Sequence, residues 1–264
     1  MDPYALIDFL GLSVGEVERA ALILARLSGL FLSAPFFSRA IGPNRIKAAL
    51  LLALTVVIFP LVSPWSGEGK GHVPAMFAAA ITEIIIGAVI GMLVHWVLIS
   101  VQVAGSVIGF QMGLSMAMVM DPTSGIQEGV LSNLLYMTVL ILFLSIGGHY
   151  LLIEGIARSF NTIPLGAGLP HTGNMLKSAM KALSSMFHLA LLVSAPIVVA
   201  TTLLYVGLGL INRASPQIQV FFLSMPLAQM MGFIILGLTM ILFAKVMIRE
   251  IDTFFTLAFR SIGF

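Results

Sequence analysis

Ala182 to Ile211 is one continuous apolar run with a proline, Pro196, near its middle. As a single helix it would be about 45 Å long, against a hydrocarbon core of about 30 Å. Only 9% of the residues are charged and 59% are hydrophobic, with a mean hydropathy of +1.09. Soluble domains carry roughly 25% charged residues. The chain is therefore read as an integral membrane protein with an all-α fold of about six long, kinked apolar helices arranged as hairpins. A net charge of +2 is too small to point to nucleic acid. Without cysteine there is neither a disulfide nor a thiolate metal site. Residues 1–18 hold Asp2, Asp8, Glu16 and Glu18 but no Lys or Arg, the wrong sign for a secretory signal, so the first apolar segment is expected to be retained.

Six apolar helical segments are expected near 19–38, 46–65, 75–103, 129–156, 182–211 and 217–247. Pro35, Pro196 and Pro226 interrupt three of them, and proline kinks a helix unless neighbours satisfy the freed carbonyl. The linkers are 66–74, 104–128 and 157–181, none long enough for a second domain. Tight turns with a single Arg close the first and last hairpins, Arg39 to Pro43 and Arg213 to Pro216. With six spans, one side carries the termini, Lys70, Arg158, Lys177, Lys181, Lys245, Arg249 and Arg260. The other carries Arg39, Arg45, Lys47 and Arg213, so the count favours cytoplasmic termini.

Residues 105–125 read GSVIGFQMGLSMAMVMDPTSG. Gly105, Gly109 and Gly113 recur every four residues, which on a helix makes a smooth face for close backbone approach. Four methionines follow, Met112, Met116, Met118 and Met120, before Asp121-Pro122 ends the pattern. Methionine is unbranched and repacks readily. Such a segment in a membrane protein has to be buried in protein or line a cavity. It reads as a gate or plug, with Asp121-Pro122 ending its helical part.

Arg26 and Glu83 each sit inside an apolar segment. A charge at membrane depth costs about 2.5–3.5 kcal/mol on insertion scales and normally faces protein with a partner. The two have opposite sign and are read as partners. The plainer role is a contact that fixes helix registry; the sharper one is a proton or ion relay. A relay needs several ionisable groups in series, and His95, His149, Glu154 and His188 show no shared spacing. Gly87 and Gly91 follow Glu83 at one-turn intervals and form a second small-residue face. No metal-ligand spacing, P-loop or nucleotide fingerprint is present, so neither cofactor nor metal is expected.

An ordered set of motifs then carries a resemblance. It begins with RLSGLFLSAPFFSRAIGPNRIKAALLLAL, then Glu83-x3-Gly87-x3-Gly91, then GFQMGLSMAMVMDP. Gly147-Gly148-His149, Ser159-Phe160-x3-Pro164 and Arg213-x2-Pro216-Gln217-x2-Val220-Phe221 complete it. In this order and spacing they resemble the FliR family of flagellar type III export-gate proteins, from about Arg19 to Phe255. The injectisome counterpart of that family is the near alternative.

The resemblance implies a non-enzymatic subunit of the flagellar basal body in the bacterial inner membrane. Its implied partners are FliP-like and FliQ-like subunits, a FlhB-like export component and unfolded export substrates. It implies a FliP-like part over 1–181, with the plug loop at 105–125, and a FliQ-like hairpin and tail over 182–264. The plug maps to Gly109, Phe110, Gln111, Met112, Gly113, Met116, Met118, Met120, Asp121 and Pro122. Arg26, Pro35, Glu83, Gly87, Gly91 and Gly105 are assigned to helix packing and polar pairing. Arg39, Pro43, Arg213 and Pro216 are assigned to turns and partner contact. The rival class is a secondary transporter or small-solute channel, which should place ionisable groups around a midplane site; this chain has few.

Overall fold

The computed structural model describes residues 13–34, 43–65, 73–115, 129–168, 172–215 and 220–262. Among these the secondary structure is seven α-helices and one short 3-10 turn, with no strand. They are α1 Val14–Ser33, α2 Asn44–Ile58, α3 Val73–Gln111, α4 Val130–Ser145, α5 Gly148–Thr162, α6 Thr172–Ala214 and α7 Val220–Ile262. Pro35, Arg39, Met116, Met118, Met120, Asp121, Pro122 and Pro216 lie outside the described residues.

Local chemistry sets several boundaries. Ser13 caps α1: its hydroxyl accepts from the Glu16 N–H at 3.3 Å, and Glu16 Oε2 accepts from the Ser13 N–H at 2.8 Å. This reciprocal capping box satisfies two donors that the helix start would otherwise leave open. Ala34 ends α1 in an extended conformation, ψ 122°, as expected before a proline. Pro43 is the N-cap of α2, and Pro60 lies in the 3-10 turn Phe59–Leu61 that follows it.

Two expectations about breaks are corrected. Pro196 and Pro226 lie inside continuous helices of 43 residues each. At 1.5 Å per residue each is about 65 Å long, roughly twice the hydrocarbon core. The sharp break falls instead inside the expected segment 129–156. There α4 and α5 meet at 66°. Gly147 stands between them at φ 77°, a left-handed conformation that glycine adopts without a Cβ penalty. A third boundary also moves: α3 continues through Gly105 and Gly109 to Gln111, so the first residues of the expected linker 104–128 are helical.

By length and composition, Asn44–Leu61, Pro74–Gln111, Leu176–Ala214 and Phe222–Ile251 could cross a membrane, and the bent pair α4–α5 could form a fifth span. The helix α1 is not in that set. It carries Glu16, Glu18, Arg19 and Arg26, and it buries Leu22, Ile23, Leu27 and Leu30 within the chain.

The described chain forms two compact units that interleave along the sequence. One comprises Met1–His95, Gly147–Ala182 and Thr253–Phe264; the other comprises Trp96–Ile146 and Leu183–Asp252.

Candidate functional site

In the first unit, α1 crosses α3 with backbone nearly touching backbone. A Cβ on Gly87 would strike the carbonyl oxygen of Arg26, and one on Gly29 would strike that of Ile84. One turn further on, a Cβ on Gly91 would meet the Ser33 hydroxyl and come within 3.0 Å of the Ala34 nitrogen. At Gly87 and Gly29 glycine is required because the space for any side chain is filled by main chain.

That crossing delivers Arg26 to Glu83. Arg26 Nε donates to Glu83 Oε2 at 2.5 Å, with the two side chains 0% and 1% exposed. The remaining guanidinium nitrogens are also used. Nη1 donates to the Ser159 hydroxyl at 3.1 Å and Nη2 to the Ile163 carbonyl at 3.0 Å, while the guanidinium lies over the Phe160 ring. The second carboxylate oxygen of Glu83 accepts from the Gly166 N–H at 3.0 Å. A buried pair repays its desolvation only when its other donors and lone pairs are satisfied. Here the network joins α1, α3, the end of α5 and the turn after it. Neither His95, His149, His188 nor Glu154 is among the hydrogen-bond partners of the pair, and Glu154 pairs instead with Arg158 on the exposed face of α5. The arrangement is a joint between helices, with no series of ionisable groups leading away from it among these bonds. Sequence reasoning found the pair but missed Ser159, Ile163 and Gly166. Two of those contacts use backbone atoms, which leave no mark in residue identity.

In the second unit, Gly105 meets α4. A Cβ there would lie 2.6 Å from Ser132 Cα, and the Ser106 and Ser132 hydroxyls are 2.8 Å apart. Two turns further along, α3 stops in a Schellman motif. The Leu114 N–H reaches back to the Gly109 carbonyl at 2.9 Å and the Gly113 N–H to that of Phe110 at 3.0 Å. Gly113 takes the left-handed conformation this ending needs, φ 75°.

The end of α3 is held from two sides. Met112 is fully buried, seated on Gly232 of α7, where a Cβ would fall 2.6 Å from the Met112 sulfur. Gln111 Nε2 donates to the Thr202 hydroxyl of α6 at 3.2 Å, and the Tyr205 hydroxyl donates to the Gln111 carbonyl at 2.8 Å. Phe110, by contrast, is 76% exposed. Of the expected plug residues, Gly109 thus lies in the helix, Gln111, Met112 and Gly113 form an anchored end, and Phe110 points away from the packing. Met112 is committed to a place inside the chain. Thr202 and Tyr205, which meet Gln111, and Gly232, which meets Met112, were not legible as the surroundings of this end, since each lies in an apolar run with no motif of its own.

Pro43 and Arg213 sit at the start of α2 and in the last turn of α6, both exposed. Among the described residues, no group of three or more His, Asp or Glu side chains could hold a metal ion.

Comparison with known proteins matches residues 17–254 to the family described as bacterial export proteins, family 1. Flagellar biosynthetic protein FliR of Escherichia coli K12 is 33% identical over 225 residues, 84% of each chain. FliR of Bacillus subtilis 168 is 32% identical over 218 residues, 81% of this chain and 83% of the relative. Surface presentation of antigens protein SpaR of Shigella sonnei is 25% identical over 231 residues, 85% of this chain and 86% of the relative. With motifs, fold and relatives in agreement, the chain belongs to the FliR family of bacterial export proteins, and so is a membrane subunit of the flagellar type III export apparatus.

Proposed function

We propose that this chain is a structural gate subunit that assembles with FliP-like and FliQ-like subunits, and with a FlhB-like component, into an export channel closed by its Met-rich segment. The observation that carries the reading is the end of α3. A capped, buried anchor at Met112 and Gly113 stands immediately before Met116, Met118 and Met120. A seal needs a fixed base and an adaptable tip. Methionine side chains rearrange at little cost, so an unfolded substrate displaces them without breaking strong polar bonds. When closed, an apolar constriction excludes water and ions by dewetting. Met112, being internal, belongs to the base, and the seal is assigned to Met116, Met118 and Met120. The role is non-catalytic, and residues 1–181 and 182–264 act as the FliP-like and FliQ-like parts.

The long helices favour a multi-subunit setting. Leu203, Leu210, Leu238, Ile241 and Leu242 are each more than three-fifths exposed in the chain alone. Apolar patches on this scale mark surfaces that lipid or protein must cover. Native mass measurement after extraction in mild detergent tests the assembly. A heteromer containing FliP-like and FliQ-like chains is expected; a stable homo-oligomer with neither would contradict the reading and favour a transporter.

A further inference from the structure

In the first unit α1 packs on α2, and an open cleft of about 440 Å³ lies between them. Phe31 and Leu32 of α1 and Ala48 and Leu51 of α2 form its apolar lining; Ser28, Asn44 and Lys47 are its polar members. Ligand pockets span about 300–1,000 Å³, so the cleft is large enough for a small molecule or one segment of a chain molecule.

The cleft stands at one end of the helix that best fits a bilayer. Asn44–Leu61, which is α2 with the 3-10 turn after it, has 18 residues. That makes roughly 27 Å, close to a hydrocarbon core of about 30 Å. The other three single-helix candidates run to 38, 39 and 30 residues. Only 11% of Asn44–Leu61 is buried within the chain, and Leu52, Val56 and Val57 are exposed on it. Its first turn holds Arg45 and Lys47 and no acidic residue. Its other end holds Phe59 and is followed by half-buried Trp65. Cations at one end and aromatic rings at the other are residues that settle at membrane–water interfaces. A lysine there lays its apolar stem along the helix and keeps its ammonium at headgroup level.

Charge selects the occupant. A neutral lipid or an apolar helix could use the lining of Phe31, Leu32 and Leu51 but gains nothing from two cations in the adjoining turn. A molecule with an anionic head and an apolar tail uses both. We propose that the α1–α2 cleft is a binding site for an anionic phospholipid. The phosphate lies against Lys47 and exposed Arg45, and part of an acyl chain enters the cleft along Phe31, Leu32 and Leu51. The site fixes the depth of the α1–α2 pair in the membrane.

The test uses membrane vesicles from cells that make this chain with the rest of its export apparatus. They are doped with phosphatidylglycerol or phosphatidylcholine carrying a photoactivatable group in one acyl chain. After illumination, peptide mass spectrometry maps the label on this chain. Phosphatidylglycerol should label residues 28–32 and 44–51 far more than phosphatidylcholine does, whereas both should label 52–57 alike. Arg45→Gln with Lys47→Gln should lower cleft labelling by phosphatidylglycerol about twenty-five-fold, a factor of about five for each basic contact at an anionic surface. Lys47→Arg alone should keep it. Ala48→Phe, which fills the cleft from an exposed position, should abolish cleft labelling and spare 52–57. Equal cleft labelling by the two lipids overturns the proposal, because the head group would then not be read. So does an unlabelled cleft, which would mean that protein covers it, and so does full labelling of the doubly neutral variant. The lipid comparison uses the unaltered protein and decides alone if that variant fails to assemble.

Discussion

The main chain of Arg26 lies against Gly87 so closely that a Cβ would strike the Arg26 carbonyl, while its side chain reaches back one helical turn to Glu83. One residue thus makes both the closest backbone approach and the buried ion pair of the α1–α3 crossing. The glycine brings the helices close enough for the guanidinium to reach its partner, and the pair sets the register.

Removing either partner leaves a buried charge without its counterion, at a cost of about 3–5 kcal/mol. Glu83→Ala and Arg26→Ala should each sharply reduce the yield of assembled complex. Replacing both together, as Arg26→Met with Glu83→Leu, should recover much of the loss, since an apolar pair of similar volume is often neutral. A double-mutant cycle on complex yield measures this. Losses that simply add would show that the two residues do not act as a pair.

Two glycine-to-alanine changes should differ although both sites are tightly packed. At Gly87 the obstacle is backbone, so α1 must shift, and overpacking of this sort costs about 1–3 kcal/mol. At Gly232 the obstacle is the flexible end of Met112, which can turn aside. The thermal midpoint of the purified complex should fall clearly for Gly87→Ala and only slightly for Gly232→Ala. Equal shifts would contradict this reading of the α1–α3 contact.

The Arg26–Glu83 contact was legible in the sequence because two opposite charges in apolar surroundings have few alternatives. Gly87 and Gly91 were legible through their one-turn spacing. Their counterpart Gly29 was not, since a lone glycine carries no period. Proline misled: Pro196 and Pro226 lie within continuous helices, whereas Gly147 makes the sharp bend. Bending depends on what surrounds a residue, and a left-handed glycine between two helices redirects the chain more than a proline whose helix runs on. The end of α3 was placed too early because the small, apolar residues after Val103 resemble a linker in composition while still suiting a helix. Its capping by Gly113 and by Tyr205 depends on contacts far apart in sequence.

Met112→Ala should loosen the end of α3, the base of the proposed gate. Emptying a fully buried methionine site costs about 2–5 kcal/mol. Hydrogen exchange at 109–114 should then rise in the assembled complex, with little change at α1. Unchanged exchange there would show that Met112 is not the anchor.

The start of α1 should be sensitive to acid. Hydrogen bonds from the Ser13 backbone and hydroxyl hold the Glu16 carboxyl below its ordinary range. A carboxyl whose folded value is depressed contributes stability above its unfolded value. That contribution is lost as pH falls through the folded value. Amide exchange in the first turn of α1 should therefore quicken below the usual carboxylate range. Glu16→Gln, which keeps the capping geometry without the charge, should remove the pH dependence. Persistent dependence would assign it to another group.

The proposed seal is tested most directly by deleting residues 116–120 while keeping Met112, Gly113 and the rest of the anchor. Resting ion conductance is measured in cells that hold equal amounts of assembled gate complex. The expected result is a complex that still assembles but conducts ions at rest, and the same leak should follow when Met116, Met118 and Met120 are all replaced by Ser. A deletion complex that assembles and stays as tight as the unaltered protein would show that the Met-rich segment is not what closes the channel.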